Sequence, residues 1–168
     1  MAELLKSPQA SSNFLRVSLG VNIVVLIAVC TVLIAFSTSE PVVYSWGPPT
    51  TGRGILLSIY FSILFVSIGL LFAHSNTSNS SEKAAVEHMI AALLTTQILY
   101  KITTLATAGP ANPVAISNVC ISVLHATTLY LLWQKHTAAI RIENDDDAAT
   151  KAITKESVDD KSNNVLER

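Results

Sequence analysis

Charge is scarce in this chain: Asp, Glu, Lys and Arg make up 14% of its residues, and the formal net charge is -1. With no basic block and no array of stacking aromatics, the sequence lacks the footprint of a nucleic-acid partner. Cysteine is scarcer still. Cys30 and Cys120 belong to no CxxC or zinc-type spacing, and each falls inside an apolar run, where it reads as a small packing residue. No second histidine sits at metal-ligand spacing from His125, and no carboxylate is placed to share acid–base work with it. The residues therefore indicate no metal, no cofactor and no catalytic group.

What the chain has in abundance is uninterrupted apolar sequence. Residues 17–36, 54–73 and 114–133 contain no Asp, Glu, Lys or Arg. At a rise of ~1.5 Å per residue, twenty residues cover roughly 30 Å, the hydrocarbon thickness of a bilayer. A fourth run, residues 84–108, is long enough to span but contains Lys101. The expectation is an all-α, polytopic membrane protein: a compact bundle of four transmembrane helices over about 15–37, 54–74, 84–108 and 113–134. One membrane domain (1–134) leaves residues 135–168 as a polar, mixed-charge tail, helical at first and then disordered. The first run is too long for a signal-peptide core and is expected to be a retained anchor.

The connections suggest how the spans are arranged. Residues 1–13 are polar and contain Pro8, which predicts a loose surface segment or one interfacial turn. Residues 37–53 hold Pro41, Gly47, Pro48, Pro49 and Gly52, which should break any helix, with Tyr44 and Trp46 suited to the headgroup level. Residues 74–81 form a Ser/Asn-rich loop with two glycosylation-type triplets, at Asn76 and Asn79. Lys6, Arg16, Lys83, Lys135 and Arg141 fall on one side of the membrane and Arg53 on the other, so the positive-inside rule places both termini in the cytosol. In that orientation the triplets are chance matches.

Polar residues inside the runs are the candidates for function. Ser81 reads as the amino-terminal cap of the third helix. Gln97, Lys101 and Thr104 lie on one face of that helix; Asn118, Ser122 and His125 form a stripe on the fourth. Measured from Gly109, Lys101 and Asn118 both sit about 12 Å below the outer end of an antiparallel hairpin, so they can meet. A polar cavity follows, with Arg53 at its rim, Gln97, Lys101 and Asn118 in its wall and His125 at its floor. Intramembrane ionisable groups are functional candidates by default. Against this stands a structural reading, in which Lys101 snorkels and His125 makes one interhelical bond. Asn22, Ser58, Ser62 and Ser122 are expected to be polar or small residues of helix packing.

The arrangement of Asn22 in the first helix, Arg53-Gly54 opening the second, Thr96-Gln97 in the third and the proline-containing turn after it resembles the small four-helix endoplasmic-reticulum scaffold family of ergosterol biosynthesis. That resemblance implies a non-catalytic adaptor in an endomembrane, with other membrane proteins and the lipid bilayer as its partners. Gln97, where an acidic residue is typical, Lys101 within the helix, the longer turn and the acidic tail depart from the family pattern. Two alternatives come from the residues themselves. One is a transporter or channel subunit, as a homo-oligomer, for a small and anionic solute. The other is a membrane-embedded enzyme acting on a lipid or terpenoid, with His125 as its base.

Overall fold

A computed structural model describes residues 8–166, with side chains described over residues 11–142. Lys6, counted above among the basic flanking residues, and the loose segment expected before Pro8 lie outside the described residues. Five helices follow in order: α1 (Pro8–Ala35), α2 (Glu40–Trp46), α3 (Thr51–Asn76), α4 (Ser80–Ala108) and α5 (Pro113–Leu166). No strand occurs among the described residues. Among the described residues, four segments are long and apolar enough to cross a membrane: Ser11–Ala35, Thr51–Asn76, Ser80–Ala108 and Pro113–Ile142. The chain is an all-α, polytopic membrane protein.

The molecule divides into two units, Met1–Leu132 and Trp133–Arg168. The first holds the bundle; the described part of the second is helical as far as Leu166.

Two proline-bearing segments differ from expectation for the same reason. Pro8 opens α1 instead of leaving its segment loose, and the 37–53 connection is not free of helix but contains the seven-residue α2, with Pro41 in its first turn. A first-turn backbone N–H has no intrahelical acceptor, so proline loses nothing there and its fixed φ suits the helix. What ends α2 is Gly47, whose φ of 78° sends its N–H back to the Val43 carbonyl. Gly109 closes α4 in the same manner, with φ 84° and an N–H to Leu105. Only glycine takes this backbone conformation without a Cβ penalty.

The cap of α4 is Asn79 rather than Ser81. Its side-chain oxygen accepts from the Ser81 N–H at 3.0 Å, and its amide reaches Glu82 at 3.4 Å. The helix thus begins at Ser80, two residues earlier than a Ser81 cap implies, because asparagine satisfies an orphan donor there as well as serine would.

The bundle is apolar outside and mixed inside, with polar side chains buried among apolar ones. Val17, Val24, Ile34, Phe65, Phe72, Leu99 and Val123 are exposed, whereas the buried set contains Asn22, Ser67, Gln97, Lys101, Asn118, Ser122 and His125. Lipid tails are as apolar as leucine, so burying leucine drives no association there; tight packing and interhelical hydrogen bonds hold the helices together instead. Two apolar clusters frame the interior. One comprises Leu15, Leu19, Leu70, Ile90, Leu94 and Leu132; the other Leu26, Cys30, Leu33, Val42, Tyr60 and Leu64. The inner stripes pass from one cluster to the other through Asn22 on α1, Ser67 on α3 and Gln97 on α4, which places a polar layer between them.

Candidate functional site

The polar layer is built from small, specific bonds. Asn22 Nδ2 donates to Ser67 Oγ at 2.9 Å, joining α1 to α3. Ser18 Oγ and His125 Nδ1 share a hydrogen bond of 2.8 Å, joining α1 to α5. Lys101 Nζ donates to Gln97 Oε1 at 3.0 Å, one turn earlier on α4, and lies 4.7 Å from the centre of the Tyr100 ring.

Beside this layer is a cavity of about 170 Å³. Asn22, Val25 and Val29 of α1, Trp46 of α2, Tyr60 of α3, Tyr100 and Lys101 of α4, and Val114, Asn118 and Ile121 of α5 form its wall. The end bearing α2 is fixed by two further contacts. Arg53 donates from Nη1 to the Gly47 carbonyl at 2.9 Å and from Nη2 to the Ser37 carbonyl, tying both ends of the α1–α3 connection to the start of α3. Asn112 donates to the Ser45 carbonyl at 3.2 Å while its oxygen accepts from the Val114 N–H, so the α4–α5 turn is pinned to α2 as it caps α5. Trp46 is held over the cavity by this clasp.

The electrostatics of the wall are one-sided. Lys101 is only 3% exposed, and among the described residues no acidic side chain forms an ion pair with it. Asn118 Nδ2, in the same wall, is buried with no acceptor, as is Gln97 Nε2 behind the lysine. All three present N–H groups. Buried donors without acceptors are costly in a low-dielectric interior. An acceptor-bearing ligand in the cavity would meet the N–H groups of Lys101 and Asn118, which line it.

Of the five residues singled out for ligand contact, Lys101 and Asn118 line the cavity, and Gln97 stands behind Lys101 as its hydrogen-bond partner. The other two are elsewhere. Arg53 is engaged by backbone carbonyls rather than standing free at a rim. His125 is fully buried and bonded to Ser18, and it is not part of the cavity wall. Among the packing residues, Asn22 bonds across helices and also lines the cavity, and Ser122 is buried with its hydroxyl unpaired. Ser58 and Ser62 face outward, and their hydroxyls bond back to Gly54 and Ser58 carbonyls of their own helix.

Sequence reasoning missed the aromatic wall. Trp46 suggested an interfacial anchor, and nothing in a single sequence showed that α2 would fold it inward. Tyr60 and Tyr100, with ring centroids 6.3 Å apart, complete that wall. It also missed a buried pair at the far end of the bundle: His74 Nε2 lies 3.5 Å from Glu87 Oε1, with both side chains essentially inaccessible. The expected spans 54–74 and 84–108 already contained both residues at their facing ends; no sequence signal paired them, and extending α3 to Asn76 and α4 back to Ser80 sets both further inside their helices.

Among the described residues, no group of three or more His, Cys, Asp or Glu side chains gathers to hold a metal. Searches against protein-family models, curated proteins and solved structures found nothing that matches this chain.

Proposed function

We propose that this protein binds a small anionic solute within the membrane, as a carrier or channel subunit. One observation carries this reading: Lys101 is buried at the wall of a cavity, among other N–H donors, with no acidic partner from the described residues. A structural lysine would be expected to reach a carboxylate or the headgroups; a recognition lysine waits for its counter-ion. The positive-inside distribution of Arg16, Lys83, Lys135 and Arg141 supports cytosolic termini, with the α2 end of the cavity on the opposite side.

The test is flux. Proteoliposomes containing the wild-type chain should release one or more small anions from a panel of chloride, nitrate, phosphate and simple carboxylates. The Lys101→Met variant, reconstituted to the same level and eluting at the same size, should not. Equal flux from both proteins would end the proposal.

A second reading is an adaptor in an endomembrane such as the endoplasmic reticulum, as the layout resemblance implies. It draws support from Gly54, Ser58 and Ser62, which lie four residues apart on the outward face of α3 with both hydroxyls satisfied internally. Such a surface lets a partner's transmembrane helix approach closely. Stoichiometric recovery of unrelated membrane enzymes with the tagged protein would favour it. The enzyme reading draws least support, because His125, its only base, is sealed from the cavity.

A further inference from the structure

We infer that the ligand is an apolar monocarboxylate: a single acidic head on a compact hydrocarbon body. This rests on the anion-binding reading above and narrows its chemistry. The cavity presents one cation, Lys101, and the Asn118 amide also lines it. A carboxylate has two acceptor oxygens and one charge, which matches an ammonium and an amide donor. A phosphate dianion would bring a second charge that no other cationic side chain of the wall meets. Apart from Asn22 and Ser117, the rest of the lining is hydrocarbon and aromatic, with Val25, Val29, Ile121, Trp46, Tyr60 and Tyr100 among it.

Inorganic anions fit poorly for the same reason. Chloride or nitrate would occupy the donors and leave most of a greasy cavity without contacts. The volume sets the size of the body. A cavity of about 170 Å³ compares with the roughly 150 Å³ apolar cavity that takes up benzene in an engineered protein. The part of the ligand enclosed here is therefore the size of one ring or of a short branched chain. A free solute acid and the carboxyl end of a fatty acid share this chemistry, and the two are separated by whether a long tail helps or hinders.

The experiment is equilibrium binding to the purified full chain in lipid nanodiscs, read by the fluorescence of Trp46 in a Trp133→Phe background and repeated by dialysis with labelled ligand. The probes are benzoate, benzyl alcohol, chloride, inorganic phosphate and palmitate. Benzoate is expected to bind saturably, and the neutral benzyl alcohol roughly tenfold or more weaker, because the charge-assisted bonds are lost. Lys101→Met and Asn118→Leu should each weaken benzoate, the first more strongly; Asn118→Leu keeps the test open if the first fails to fold. Palmitate binding in place of benzoate would keep the class and assign the source to lipid. Binding of chloride or phosphate without benzoate would overturn the carboxylate inference while leaving the anion site standing. Equal affinity for benzoate and benzyl alcohol, or no binding by any probe, would overturn both.

Discussion

Ser18 and His125 are hydrogen-bonded at 2.8 Å although 107 positions separate them. This contact ties the first span to the last in the polar layer of the bundle, and both residues are completely buried. Interhelical bonds of this kind are worth ~0.6 kcal/mol on average and up to about 1.7 in membrane bundles. A double-mutant cycle with Ser18→Ala and His125→Leu, followed by detergent-titrated unfolding, should give a coupling energy in that range. A coupling indistinguishable from zero would show that the contact does not hold α1 against α5. If His125 were instead a catalytic base, its loss would abolish turnover of any substrate found.

Arg53 should matter for the order of the α2 clasp more than for charge. Its two hydrogen bonds go to the Gly47 and Ser37 carbonyls, and these flank α2. Bonds from a charged donor contribute about 1.5–3 kcal/mol each. Arg53→Ala should therefore raise hydrogen exchange across residues 37–50 while leaving the cores of α1 and α4 protected. It should also weaken ligand binding indirectly, since Trp46 belongs to the same clasp. Arg53→Lys should recover little, because one ammonium cannot fork to both carbonyls.

Why the sequence showed some of this and hid the rest is visible in the residues themselves. The spans were legible because a run such as residues 54–73 has length and apolarity that only a membrane accommodates. That Lys101 and Asn118 line one cavity agrees with their depths counted from the same turn, at Gly109, on helices of fixed rise. Trp46 was not, because its position depends on tertiary contacts of Arg53 and Asn112 with carbonyl groups, and carbonyls leave no trace in a sequence. Ser58 and Ser62 misled in the opposite way. Their spacing identifies a small-residue face, yet spacing does not say whether that face meets a helix of this chain or looks outward.

The Asn79 cap offers a local test. Its oxygen serves the Ser81 N–H at the start of α4. Asn79→Ala should cost ~1 kcal/mol of stability and fray the first turn, and Asn79→Ser should restore most of it. Amide exchange at residues 80–83 reports the change. Both variants also remove the Asn79 triplet, so an unchanged electrophoretic mobility from native membranes is expected with the loop in the cytosol.

At the far end of the bundle, His74 and Glu87 lie 3.5 Å apart with no access to solvent. Removing Glu87 leaves the buried His74 imidazole without that polar partner, a loss that typically costs about 1–3 kcal/mol, whereas replacing both with apolar residues of similar volume is near neutral. Glu87→Leu should therefore lower bundle stability by about 1–3 kcal/mol, and the double variant with His74→Leu should regain much of that loss. A double variant no more stable than Glu87→Leu would mean that Glu87 is held by other partners.

Lys101 reverses the usual sign of a buried-residue substitution. A cation at intermediate depth in a bilayer with only an amide oxygen and an aromatic ring for company is a net cost to the free bundle, and translocon scales put an unpaired lysine at ~2.5–3.5 kcal/mol at mid-membrane. Lys101→Met keeps an unbranched apolar stem, one atom shorter, and removes the charge. It should stabilise the ligand-free protein by about 1–3 kcal/mol on the same grounds, measured by detergent-titrated unfolding, while abolishing the binding of acids. That pairing of gained stability with lost binding is the signature of a residue retained for its ligand. A destabilised Lys101→Met protein that still bound anions would instead make Lys101 a structural residue, held by Gln97 and Tyr100, and the cavity would have to recognise its ligand without it.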